Sequence, residues 1–163
     1  MATAIDYLST YLQDHRAGAE MGRDLASRMR DQNLGTPHED FFVRLAEEIA
    51  EDVATLQSLM ESFDVSKSTL KTAGAKVGEK LGRLKANEHV TSYSPLSRVL
   101  ELEMLSSGVS GKLALWDSLH AVSGDDERLD AGVLAGLVER AESQLADLRE
   151  HHRTAAQEAF ASV

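Results

Sequence analysis

Cysteine is absent from the 163 residues, which removes disulfides, thiolate zinc sites and cysteine nucleophiles together. Proline is almost absent as well, since only Pro37 and Pro95 interrupt the chain. Alternating β-branched residues of the kind that build strands are scarce, so helical periodicity is the main signal. Positive charge is in deficit: 17 Lys and Arg stand against 27 Asp and Glu, for a formal net charge of −10. A phosphate backbone would find no basic surface to neutralise it, and nucleic acid is not an expected partner. The start, Met1-Ala2-Thr3-Ala4-Ile5-Asp6-Tyr7, has no basic region followed by an apolar run, and no later stretch reaches membrane-span length. These absences predict a soluble, cytoplasmic chain with no membrane contact. What is present, 42% hydrophobic and 27% charged residues, suits one helical-bundle domain over residues 1–163.

The sharpest local signal is Gly35-Thr36-Pro37-His38-Glu39, where Thr36 can cap a helix, Pro37 can open it and Glu39 can complete a capping box. It separates two amphipathic segments and predicts a tight hairpin about Asn33 and Leu34. The first helix is predicted over 3–31, with Ile5, Leu8, Leu12, His15, Ala19, Gly22, Ala26 and Met29 on one seam. The second, over 37–63, repeats the pattern with Phe42, Leu45, Ile49, Asp52, Leu56, Leu59 and Phe63. A third, over 66–86, starts at the cap Ser66. It carries a narrow stripe, Gly74, Gly78 and Gly82 at four-residue spacing, and basic residues from Lys67 to Lys85 that would neutralise the acidic bundle. Ser94-Pro95 opens a fourth helix over 95–122. Val99, Leu102, Val109, Leu113 and Trp116 fill its seam, while Leu96, Leu100, Leu105, Leu115 and Leu119 spread beyond it. Burying that second stripe needs either the third helix or a second copy of the chain, so a homodimer is one expected partner arrangement. A fifth helix over 127–160 has Leu134, Leu137, Ala141, Gln144, Leu148, His151 and Ala155 as its inner line.

Four of these helices are roughly 40 Å long at about 1.5 Å per residue, and the third can carry the chain roughly 30 Å from one end of a bundle to the other. Two antiparallel hairpins joined by such a crossover resemble the ferritin-like four-helix bundle, an all-α fold in which the extra helix lies outside the core. A plain up-and-down five-helix bundle is the alternative. The resemblance implies a di-iron centre, with a Glu from each of two helices and a Glu-x-x-His from each of the other two. Only Asp117-x-x-His120 approaches that spacing, and it sits near the turn at Gly124. The di-iron motif is absent.

Folding the first hairpin sets His15 level with Asp52, and a buried hydrogen-bonded pair that fixes helix register is the favoured reading of the two. The alternative is a reduced metal site for iron or another divalent ion, drawn from His15, Glu48, Asp52, Glu103 and Gln144. Folding the second hairpin about Gly124 lets Glu103 meet Gln144, but a crossover puts Asp52 level with Ser110, displacing Glu103 by about 10 Å. His151 pairs locally with Asp147, and His38 and His152 are expected at the surface. Ser107-Gly108-Val109-Ser110-Gly111-Lys112 is not a phosphate loop, because Ser106 and Leu113 stand where a glycine and a hydroxyl are required. Its glycines predict a bend or break in the helix. The small residues Ala17, Gly18, Ala19 and Gly22 predict close helix packing, with a ligand cavity as the other reading. No Ser, His and Asp combination supports nucleophilic catalysis. The expected function is therefore binding of a protein partner or small ligand, without catalysis and without a cofactor. A metal-binding ferritin-like protein with iron-storage or oxidase-type chemistry is the alternative.

Overall fold

A computed structural model describes residues 3–65 and 93–161. The helix expected over 66–86, with its glycines and basic stripe, lies outside the described residues. Within them the chain is all-α: α1 (Ala4–Gln32), α2 (Glu39–Ser62), α3 (Pro95–Ala121) and α4 (Ala131–Phe160), with a 3-10 turn at Ser123–Asp125. No described helix is long and apolar enough to cross a membrane.

Local chemistry sets the boundaries. Thr3 and Asp6 form a capping box at the start of α1, and Ser94 accepts from the Ser97 N–H just ahead of Pro95. The turn between α1 and α2 departs from the predicted box. Thr36 Oγ1 donates to the Asn33 carbonyl at 2.7 Å and accepts from the His38 N–H at 3.2 Å, while the Glu39 carboxylate reaches back to the Gly35 N–H at 2.6 Å. The groups that could have capped the helix close the turn instead, with Gly35 at φ +74°, a conformation that glycine adopts without steric cost. The last helix begins at Ala131, four residues later than expected. Asp126 holds both the backbone N–H and the guanidinium of Arg128, a local alternative to helix, and Asp130 caps the helix through Val133. α3 runs unbroken through Gly108 and Gly111.

Cross-helix contacts fix the directions. Arg28 meets Glu101, and Tyr11 meets Ala114 and Ser118, so α1 and α3 are antiparallel. His38 meets His151 and Asp52 meets Arg140, so α2 and α4 are antiparallel too. Consequently α2 and α3 run the same way. Phe63, at the end of α2, lies beside Arg128, whereas Tyr93, ahead of α3, bonds Asn33 at the opposite end of the bundle.

The apolar seams of α2 and α4 are buried nearly as predicted. Phe42, Leu45, Ile49, Asp52, Leu56 and Phe63 are all inside, and so are Leu134, Leu137, Ala141, Gln144, Leu148 and Ala155. Fully burying a leucine or phenylalanine contributes about 1.5–3 kcal/mol, so each such residue on these lines is a substantial part of the hydrophobic support of the fold. α3 buries most of both stripes, with Leu105, Leu115 and Leu119 joining Val99, Leu102, Val109 and Trp116, while Leu100 and Leu113 are half-buried and Leu96, at the start of the helix, is exposed. α1 is different. Leu12, Ala26 and Met29 are buried, but Ile5 is exposed and His15, Ala19 and Gly22 are only partly covered.

Candidate functional site

The partly covered stretch of α1 borders a cavity of about 290 Å³ shared with α2 and α3. Ile49, Val53, Leu56, Leu105, Val109, Leu115 and Trp116 supply apolar walls, and His15, Asp14, Asp52 and Lys112 supply the polar edge. Gly18, Gly22, Gly108 and Gly111 also line it. Among the described residues, a Cβ built at any of these four meets nothing within 4 Å. Nothing described packs closely on Gly18 and Gly22, for which the sequence had suggested close helix packing, nor on Gly108 and Gly111, which it had marked as a bend or break; all four leave room.

Asp52 anchors the polar edge. It is 3% exposed and accepts from Lys112 Nζ at 2.5 Å and from Arg140 at 3.0 Å. Lys112 donates a second bond to Gln144 Oε1, and Gln144 Nε2 donates to Glu48 at 2.8 Å. Arg140 also reaches Glu51 at the surface. Three helices thus converge on one ammonium group. Burial pushes the Lys112 basicity down, and the Asp52 carboxylate opposes that fall without cancelling it.

Of the five residues considered for a metal site, the structure brings Glu48, Asp52 and Gln144 together and separates the others. His15 borders the same cavity, but no hydrogen bond joins it to Asp52. Its ring stands edge-on to Tyr11 with centroids 4.5 Å apart. Burial lowers its basicity, with Asp14 opposing. The register-fixing partner of Asp52 is therefore Lys112 and not His15. Lys112 is two residues from Ser110, the position that a crossover sets level with Asp52. Glu103 is exposed and bonds His152 at 3.1 Å, away from the cluster. The Glu103–His152 and Lys112–Gln144 contacts place the hairpin axis near Arg128, past Gly124, because the Asp126 turn lengthens the connection. Among the described residues, no three His, Asp or Glu side chains are grouped as metal ligands. Asp117 and His120 are both exposed.

A second polar cluster was not anticipated. His38 is buried rather than exposed, and its Nδ1 lies 3.0 Å from His151 Nδ1 and its Nε2 3.4 Å from Glu158. His151 stacks on Phe41 at 3.8 Å, while Asp147, its expected partner, bonds Arg44 instead. One ring of the His38–His151 pair must donate and the other accept, so one of the facing nitrogens carries no proton. Burial is the larger cause lowering the His151 basicity and the neighbouring His38 the next. At the same end of the bundle, buried Glu101 accepts from Arg28 at 2.7 Å and from Tyr93 at 2.9 Å, and burial raises the Tyr93 phenol well above its ordinary value.

Lys112 could have been found from spacing. Val109, Lys112 and Trp116 are separated by three and four residues, which puts the lysine on the seam. Arg140 and Glu101 carry no comparable signal, since long charged side chains reach inward from flanking positions. Comparison of the chain with protein-family models, curated proteins and solved structures finds no match in any of the three.

Proposed function

We propose that this chain is a non-catalytic, ligand-binding helical bundle that takes a small, mainly apolar molecule into the cavity between α1, α2 and α3. The observation that carries the reading is the open space over Gly18, Gly22, Gly108 and Gly111. Four glycines within two helices each cost about 1 kcal/mol relative to alanine, and among the described residues no close approach of another element requires them. An apolar wall with few polar groups at its edge is the usual composition of a small-molecule site. The parallel run of α2 and α3, with Phe63 and Tyr93 at opposite ends, supports a ferritin-like arrangement of the helices. Binding an apolar guest requires no rearrangement of the polar cluster. The metal-binding alternative requires Lys112 to leave Asp52 and Gln144, and Glu103 to leave His152.

Isothermal titration with indane, a compact two-ring hydrocarbon, tests the reading. A dry cavity of about 150 Å³ holds a benzene-sized guest, so one of about 290 Å³ accommodates two rings. The expected result is saturable binding to the wild-type chain and none to a Gly22→Leu/Gly111→Leu variant that fills the space. The filled variant should also melt higher, through both burial and helix propensity. No binding of indane to the wild-type chain, or undiminished binding to the filled variant, overturns the proposal.

A further inference from the structure

The His38–His151 pair sits at the end of the bundle that carries the α1–α2 turn, and neither residue lines the cavity. Two like nitrogens face each other there: His38 Nδ1 and His151 Nδ1 are 3.0 Å apart. The groups behind them set the protonation. Arg98 holds one oxygen of Glu158 at 2.7 Å, and the other oxygen lies 3.4 Å from His38 Nε2. An ionised carboxylate can only accept, so His38 carries its proton on Nε2 and presents a lone pair from Nδ1. His151 presents its own Nδ1 from the facing helix, with its ring stacked on Phe41 at 3.8 Å between centroids. A carboxylate on one imidazole nitrogen, with the other nitrogen turned toward a shared position, is the usual outer arrangement of a metal-binding histidine.

We infer that His38 and His151 form a two-imidazole site for zinc or a similar late first-row divalent ion, bound through both Nδ1 atoms with water completing the shell. Imidazole nitrogens suit such ions, whereas magnesium and calcium prefer oxygen ligands. Nitrogens at about 2.0–2.1 Å from a tetrahedral zinc stand about 3.3 Å from each other, so the two rings need to part by only about 0.3 Å. Coordination releases no net proton, because His151 moves its proton from Nδ1 to Nε2 as the ion takes the shared position. His38 is 3% exposed, but His151 is half-buried and leaves a side open to entry and to water. Held there, the ion ties the start of α2 to α4, independently of any guest in the cavity.

Isothermal titration of zinc chloride into the metal-free wild-type chain is expected to give one ion per chain. Glu158→Ala removes the outer carboxylate and should weaken binding roughly 10- to 100-fold. His151→Gln removes a ligand outright and should weaken it at least as much, whereas His152→Gln, at a neighbour bonded to Glu103, should leave the affinity unchanged. Zinc should raise the Tm of the wild-type chain and not that of His151→Gln. A measurement on the wild-type chain alone stands even if a variant does not fold: of the six histidines, zinc should shift the Nδ1 resonances of two in long-range proton–nitrogen spectra of the imidazoles. Absence of saturable binding to the wild-type chain overturns the inference. So does binding that survives undiminished in His151→Gln, or that shifts His120 or His152 instead, since either outcome marks adventitious surface ions only.

Discussion

The buried cluster predicts an asymmetry between its two central charges. Asp52→Asn preserves shape but removes the carboxylate from Lys112, whose side chain is only 14% exposed. Stripping the partner from a buried charge costs about 3–5 kcal/mol, and the lower end applies here because Gln144 keeps its bond to the ammonium. Lys112→Met removes the other member, but Asp52 retains Arg140 at 3.0 Å, and the burial penalty of the ammonium disappears with it. What remains is an unpaired Gln144 oxygen, about 1 kcal/mol. At about 2–4 °C per kcal/mol for a chain of this size, Asp52→Asn should lower Tm by roughly 6–12 °C and Lys112→Met by less than about 4 °C. Adding Lys112→Met to Asp52→Asn should recover much of the loss. The pH dependence has a definite sign. Loss of Asp52 depresses the Lys112 basicity further below its ordinary value of 10.5, so over that window the unfolded chain holds more protons than the folded one and stability rises with pH. The Asp52→Asn deficit should therefore shrink as pH rises from 7 toward 10, by at most about 1.4 kcal/mol per unit. Thermal and urea unfolding followed by circular dichroism measures all three variants. Equal losses for the two single variants, or an Asp52→Asn deficit independent of pH, would refute the reasoning.

Acid should weaken the fold through its histidines. Burial holds His15 and His151 below their ordinary value of 6.5, so the unfolded chain takes up protons first and stability declines as pH falls through 6.5 toward the depressed values. His151 faces His38, Asp147, Glu150 and Arg44, and His151→Gln should flatten the decline in urea midpoint between pH 7 and 5. Gly35→Ala places a Cβ at φ +74° and should cost about 1 kcal/mol, seen as a Tm lower by about 2–4 °C, although the turn has open space beside it.

The cores of α2 and α4 were legible because large apolar residues recur at helical spacing with little to compete, and Phe42 through Phe63 and Leu134 through Ala155 lie where that spacing puts them. The turn at Thr36 was legible in place but not in detail, since the same hydroxyl and carboxylate can cap a helix or close a turn. The Asp126–Arg128 contact shifted the second hairpin by a few residues, enough to send Glu103 to His152 instead of Gln144. Gly18 and Gly22 could not be read at all, because small residues look the same whether another helix fills the gap or nothing does. His15 and Asp52 were rightly placed on inward seams. Their coupling to each other failed because Lys112, reaching across from α3, offers Asp52 a full opposite charge, which an imidazole of lowered basicity does not.

Lys112 is a counter-ion supplied by the chain itself. Tethered to α3, it is present at the cluster at a local concentration that dilution, dialysis or a chelator cannot lower. Every folded molecule is born with the charge that Asp52 and Gln144 require, with no need to gather it from solution. Only proton loss can remove it. The charge balance at Lys112 is thus indifferent to ion supply.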